Sequence, residues 1–220
     1  MTSAATLRPL ALFGGTFDPV HLGHLRAAWE AGELLDAEVH LLPASVPPHR
    51  PQPVASPAQR VAMLRAALAG QQRLQLDTRE LQRDGPSYSI DTLIDLREEI
   101  GPDRSLIMLT GADAFAGLPS WHRWDELLEN AHIGVLTRPG HDATWSPALQ
   151  TLLDARQCAD PAALRRLPSG RIVRLPITPL DISASKIRAM LAAGRSPRYL
   201  LAKALLAEPA LLAPYRCPHN

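Results

Sequence analysis

The stretch Leu12-Phe13-Gly14-Gly15-Thr16-Phe17-Asp18-Pro19-Val20-His21-Leu22-Gly23-His24 closes a short apolar run and opens an amphipathic one, Leu22–Leu35. Strand, glycine turn and helix is the reading this order supports. In an open α/β sheet, ligands bind beyond the carboxyl ends of the strands, so the turn falls where a ligand would sit. Gly14 and Gly15 lack a Cβ, which lets a bulky ligand lie against the backbone and permits positive φ if the turn needs it. His21 and His24, three apart at a helix start, share one face, and helical side chains lean back toward the N-terminus. That end favours anions through its free N–H groups. Two imidazoles there would add hydrogen bonds to a phosphate, and Gly23 between them keeps the helix surface low. A pair of unrelated surface or capping histidines is the competing reading.

Outward from this turn, short apolar runs alternate with longer amphipathic ones. Leu10–Phe13 is followed by Leu22–Leu35, Val39–Leu42 and Pro57–Leu68, and later by Leu106–Leu109, Ile133–Leu136 and Ile172–Leu175. Parallel strands need crossovers, and helices supply them, so the rhythm predicts an α/β fold: a parallel sheet, doubly wound with helices on both faces. Prolines number 21 in 220 residues, about twice the usual share. Many fall in Pro43–Pro53 and Pro139–Pro147, which reads as stiff loops over a site. Gly140–Gly170 is poorly patterned and reads as a variable insertion. A single domain over 1–220 is expected, with its core at about 8–206, a short C-terminal helical part, and peripheral ends at 1–7 and 207–220.

Composition narrows the function. With 46% apolar and 20% charged residues, the chain has the balance of a globular protein with a packed core. A net charge of +1 carries no bulk signature for nucleic-acid binding, so any anion site must be local. Cys158 and Cys217 match no metal-ligand spacing and read as thiols of a reducing compartment. The segment from Met1 to Leu12 leads into a glycine turn rather than a cleavage site. The leucine-rich tail from Leu200 is broken by Lys203, Glu208 and Pro209, so no membrane span is expected. A cytoplasmic protein follows.

A second motif stands near the other end: Asp181-Ile182-Ser183-Ala184-Ser185-Lys186-Ile187-Arg188. Ser183 fits an N-cap, and satisfying its own helix would explain it without any ligand. On the functional reading, Ser183, Ser185 and the helix start bind phosphate oxygens while Arg188 adds a planar charged donor set. Lys186 occupies a variable position and is set aside as a solvent-facing charge.

Gly14-Gly15-Thr16-Phe17-Asp18-Pro19-Val20-His21-Leu22-Gly23-His24 resembles the signature of the His-x-Gly-His nucleotidyltransferase superfamily. Ile182-Ser183-Ala184-Ser185-Lys186-Ile187-Arg188 resembles that superfamily's second motif, which holds the β- and γ-phosphates of ATP. Three middle segments are similar to the bacterial nicotinate mononucleotide adenylyltransferases: Pro47-Pro48-His49-Arg50, Pro86-Ser87-Tyr88-Ser89 with Thr92, and Gly111-Ala112-Asp113 followed by Pro119-Ser120-Trp121-His122.

The resemblance implies a Rossmann-like fold that moves AMP from ATP to nicotinate mononucleotide, giving deamido-NAD and pyrophosphate. It assigns catalysis to His21, His24 and Arg188. ATP would meet Gly14, Gly15, Thr16, Phe17, His21, His24, Gly111, Asp113, Arg138, Ile182, Ser183, Ser185 and Arg188. The acceptor would meet Thr16, Arg50, Tyr88, Ser89, Thr92, Trp121 and His122, with Trp121 offering the pyridine ring its largest stacking face. Position 122 is often Tyr in that family, so His122 departs from the pattern.

Plainer readings stand beside these. Trp121 could be a packing residue among Trp124 and Leu127, Tyr88 a core residue, Asp113 a helix N-cap and Arg50 a solvated loop arginine. Absence of any Ser-His-Asp or Cys-His arrangement agrees with in-line attack of the acceptor phosphate on the α-phosphorus, without a protein nucleophile. Mg2+ would arrive with ATP, since no carboxylate cluster suggests a protein cage. ATP and nicotinate mononucleotide are the partners expected, with no nucleic acid and no membrane; a homo-oligomer stays open. Another adenylyltransferase, acting on phosphopantetheine or nicotinamide mononucleotide, and a non-catalytic nucleotide-binding regulator are the alternatives.

Overall fold

A computed structural model describes residues 7–45, 52–83, 85–137 and 145–216. Seven parallel strands form one sheet: β1 Leu10–Gly15, β2 Glu38–Pro43, β3 Leu74–Leu76, β4 Leu106–Gly111, β5 His132–Thr137, β6 Gln157–Cys158 and β7 Ile172–Pro176. Their order is β3-β2-β1-β4-β5-β7-β6, with Leu10 opposite both Glu38 and Leu106. The winding therefore reverses between β1 and β4, and the crevice at that switch point opens beyond Gly15 and Gly111. This is the doubly wound α/β architecture the alternating pattern predicts.

Because successive residues of a strand face opposite sides, β1 feeds two cores. Ala11 packs beneath α1 (Leu22–Leu35), α2 (Pro57–Leu68), α7 (Ala184–Ala192) and α8 (Lys203–Ala207). Leu10 and Leu12 pack on the other face with α3 (Ser89–Ile100), α4 (Ala112–Ala116), α5 (Leu127–Asn130) and α6 (Pro147–Arg156). Helix starts are written in the sequence: Ser56 and Ser146 each cap a helix whose first residue is proline.

Two segments pack more closely than their sequence pattern suggests, and the second corrects an expectation. Within the poorly patterned Gly140–Gly170, the described residues form α6, the edge strand β6 and a 3-10 segment Pro161–Arg166. Leu149, Leu153 and Leu164 are buried there, so the described part of this region packs on the sheet's flank. The tail expected to be peripheral from 207 instead winds as 3-10 helix over Pro209–Tyr215, burying Leu212 and Tyr215 in the first core. Burial of both segments comes from tertiary packing on the sheet's two cores.

The amino-terminal ends of the strands are held by a half-buried arginine. Arg97 donates to the carbonyls of Gly101, Arg104, Asn130 and Pro168 at 2.6–3.2 Å. The fully buried His132 accepts from Arg171 N–H at 3.0 Å on Nδ1 and lies 2.9 Å from the Leu167 carbonyl through Nε2. Burial lowers its pKa, so it serves as a neutral bridge. The opposite end of the sheet carries the cleft.

Candidate active site

A cleft of about 1100 Å³ opens beyond the carboxyl ends of β1 and β4. Gly14, Gly15, Thr16, His21, His24, Gly111, Asp113, Ile182, Ser183, Ser185 and Arg188 line one part of it, and Tyr88, Ser89, Thr92, Trp121 and His122 another. Fold alone brings these distant segments together. A Cβ on Gly14 or Gly111 would meet nothing within 4 Å, so both backbones face open cleft. Positive φ, which the glycines could have supplied, falls instead on Phe17 at 50°. Phe17 is buried, and its ring stands edge-on to His24 with centroids 5.1 Å apart.

His21 and His24 are capping residues and neighbours of the cleft at once. His21 Nδ1 accepts from His24 N–H at 3.3 Å, and His24 Nδ1 accepts from His21 N–H at 3.4 Å, a reciprocal capping box. An accepting Nδ1 is unprotonated, which puts the remaining ring N–H on Nε2 in both residues. The rings stack at 3.6 Å between centroids, 19° from parallel. Gly23 makes the stack possible, since a Cβ there would sit 3.0 Å from His21 Nδ1. Burial lowers the His21 pKa from 6.5 to about 4. The His21 ring is therefore held neutral at the helix start.

At the second motif Ser183 is the N-cap of α7, its Oγ accepting from Lys186 N–H at 3.2 Å. The hydroxyl proton is not used by that bond, so capping and phosphate contact are compatible. Arg188 Nη1 donates to the Asp18 carbonyl at 2.7 Å and Nη2 reaches Ser185 Oγ at 3.5 Å, tying the two motifs together. Lys186 pairs with Asp181 at 3.2 Å on the surface, away from this arrangement. Asp113 is exposed in the first turn of α4, where Gly111 is the N-cap, which removes the capping explanation for Asp113.

On the other side, the Tyr88 and His122 rings meet with centroids 4.3 Å apart. Trp121 is half-buried, packed against the second core while also lining the cleft, so packing and a stacking face are not exclusive. Thr92 lines the same cleft, and its hydroxyl also has partners within the protein. Thr92 is buried, donates to Glu80 at 2.9 Å and accepts from Arg83 at 3.2 Å. It shapes the wall. Arg50 and Arg138 lie outside the described residues, as do Pro47, Pro48 and His49.

Sequence reasoning passed over four residues here. Glu80 is a buried carboxylate lining the cleft; burial pushes its pKa up, against hydrogen bonds from Thr92 and Ser87. Ser87 also accepts from Ser45 N–H at 2.9 Å, joining the end of β2 to the start of α3. Arg60, wholly buried, donates through Nη1 to the carbonyls of Thr16 at 2.9 Å and Ala44 at 2.8 Å. Tyr215 reaches Asp18 from the far end of the chain. Burial of a charged residue inside a polar stretch leaves no periodic trace, which hides Glu80, and the partners of Arg60, Ser87 and Tyr215 are contacts that only the fold creates.

A parallel sheet reversing at an open crevice, with a glycine turn, two stacked imidazoles and a capped second helix around it, defines a nucleotide-handling α/β enzyme. A sequence model of the cytidylyltransferase-like family matches residues 12–190. A probable nicotinate-nucleotide adenylyltransferase of Pseudomonas aeruginosa PAO1 is 53% identical over 212 residues, covering 96% of this chain and 98% of its own. One from Pseudomonas putida W619 is 48% identical over 220 residues and covers 100% of both. In fold, the chain is similar to Plasmodium falciparum nicotinic acid mononucleotide adenylyltransferase complexed with NaAD. The TM-score is 0.64 at 14% identity, covering 93% of this chain and 98% of that one. The chain belongs to the cytidylyltransferase-like family and is a nucleotidyltransferase.

Proposed function

We propose that this enzyme transfers the adenylyl group of ATP to nicotinate mononucleotide, releasing pyrophosphate and forming deamido-NAD. The observation that carries the reading is the pairing, in one crevice, of two donor-bearing helix starts with an aromatic wall. Relatives about half identical over nearly the whole chain carry the name of that activity, which supports the same acceptor.

In this reading His21 and His24 donate through Nε2 to the α-phosphate as the acceptor phosphate attacks in line and the bond to pyrophosphate breaks. Ser183, Ser185 and Arg188 hold the β- and γ-phosphates. Gly14, Gly15 and Thr16 give the triphosphate a floor, while Gly111 and Asp113 lie on the adenosine side with Ile182. Trp121 stacks on the pyridine ring, and Tyr88, Ser89 and His122 complete its pocket. Arg50 and Arg138 are assigned to the acceptor phosphate and to ATP by family likeness alone.

A divalent cation, which we assign as Mg2+, accompanies ATP and neutralises charge on its phosphates. Among the described residues no group of three or more His, Cys, Asp or Glu side chains could hold a metal. Among those residues, too, no helix is long and apolar enough to cross a membrane. A cytoplasmic location fits the reading.

Labelled ATP tests the reaction type. Label on the α-phosphate is expected to enter the dinucleotide product, and label on the γ-phosphate to leave as pyrophosphate. Transfer of γ-label to the acceptor would replace adenylyl transfer with phosphoryl transfer.

A further inference from the structure

Asp18 sits in the catalytic turn, yet its carboxylate faces inward and is buried. Oδ2 accepts from Val54 N–H at 2.9 Å, and Oδ1 accepts from Ala55 N–H at 3.0 Å and from Tyr215 Oη–H at 2.7 Å. Its backbone carbonyl receives Arg188 Nη1 at 2.7 Å, and the same guanidinium lies 3.6 Å from Oδ2. One residue thus joins the histidine turn, the segment entering α2, the helix bearing Arg188 and the last described turn of the chain.

The Tyr215 bond is 197 residues long in sequence and buried at both ends. Hydrogen bonds to a charged acceptor are stronger than those between neutral groups. Burial raises the Tyr215 pKa far above the ordinary phenol value, and the adjacent Asp18 carboxylate adds to the shift, so the hydroxyl remains a donor throughout the working range. Asp18 follows Phe17, whose left-handed φ of 50° is uncommon for a bulky residue and persists only where surrounding contacts fix it. The contacts on Asp18 are such a constraint, and His21 begins three residues later.

We infer that Tyr215 is a positioning residue for the adenylyl-transfer reaction: through the Asp18 carboxylate it sets the placement of the His21–His24 turn and, with it, of Arg188. It does not touch substrate. Its effect belongs to the transition state, where small displacements of positioned donors are expensive. The inference rests on the proposed reaction and extends it to a segment that lies outside the family match at residues 12–190.

Two variants separate positioning from packing. Tyr215→Phe keeps the ring in the core and removes only the donor. Leu212→Ala loosens the same 3-10 turn without touching the hydrogen bonds of Asp18. Both are assayed at a temperature below either variant's unfolding onset, with kcat and both KM values measured beside the imidazole 15N resonances of His21 and His24. Y215F is expected to lose about tenfold or more in kcat, with acceptor KM within about twofold, and to shift the histidine resonances. L212A is expected to lower the melting temperature while leaving kcat and those resonances near wild type. Wild-type kcat and resonances in folded Y215F, or equal losses in both variants, would overturn the inference. An inactive wild-type enzyme with nicotinate mononucleotide would instead overturn the reaction on which it rests.

Discussion

Lowering the pH should destabilise this fold through His21 by an amount the structure sets. The ring is buried, with a pKa lowered from 6.5 to about 4. A depressed histidine pKa means that the fold favours the neutral ring. Its contribution is complete above about pH 6.5 and is lost as pH falls toward 4. At pH 4.5 the linkage relation gives a loss of about 2.5 kcal/mol from this residue alone, at about 1.36 kcal/mol per pKa unit. The same protonation removes the Nδ1 acceptor that caps α1. Asn caps a helix as well as most residues but does not titrate, so His21→Asn is the comparison. Urea unfolding of both proteins at pH 8 and pH 4.5 yields a difference of differences in which other shared titrations, that of His132 included, cancel. The expected result is that wild type loses about 2–3 kcal/mol more than H21N on acidification. Equal losses would show that His21 is neither desolvated nor bound as a neutral cap.

Other outcomes follow from the same geometry. His24→Ala should lower kcat by about 100- to 1000-fold, the effect of removing one donor to developing charge, and near-normal turnover by a folded variant would remove His24 from catalysis. Gly14→Val introduces atoms where the cleft is open; thermal melting should move by only a few degrees while the ATP KM rises at least about tenfold, and unaltered kinetics would place the nucleotide elsewhere. Trp121→Ala should raise the acceptor KM by about 3- to 10-fold, the range set by aromatic stacking, with the ATP KM little changed. A matching rise in both KM values would make Trp121 a packing residue only.

How far the sequence reveals the molecule differs between its parts. Helices α1 and α2, the start of α7 and five of the strands are readable from alternating apolar runs and from the glycine turn, proline start and serine cap that mark their ends. Strands β3 and β6 are three and two residues long, too short for any period to register. His21, His24 and Arg188 are legible as a constellation because two short motifs specify them. What the motifs conceal is division of labour within a residue: each histidine caps with Nδ1 and leaves Nε2 as the donor. Thr92 reads as a residue of the acceptor pocket, and its bonds to Glu80 and Arg83 are contacts that only the fold creates. Asp18 reads as half of a turn-forming Asp-Pro pair. Its role as a junction depends on Val54, Ala55, Arg188 and Tyr215, contacts that only tertiary structure creates.

The central claim is the acceptor, and a panel of acceptors tests it most directly. Purified enzyme with ATP and Mg2+ is given nicotinate mononucleotide, nicotinamide mononucleotide or phosphopantetheine, and kcat/KM is read from pyrophosphate release with the product identified by mass. Nicotinate mononucleotide should give the highest kcat/KM and yield deamido-NAD, and Trp121→Ala should weaken that preference. A higher kcat/KM with phosphopantetheine, or pyrophosphate release that no acceptor stimulates, would contradict the account.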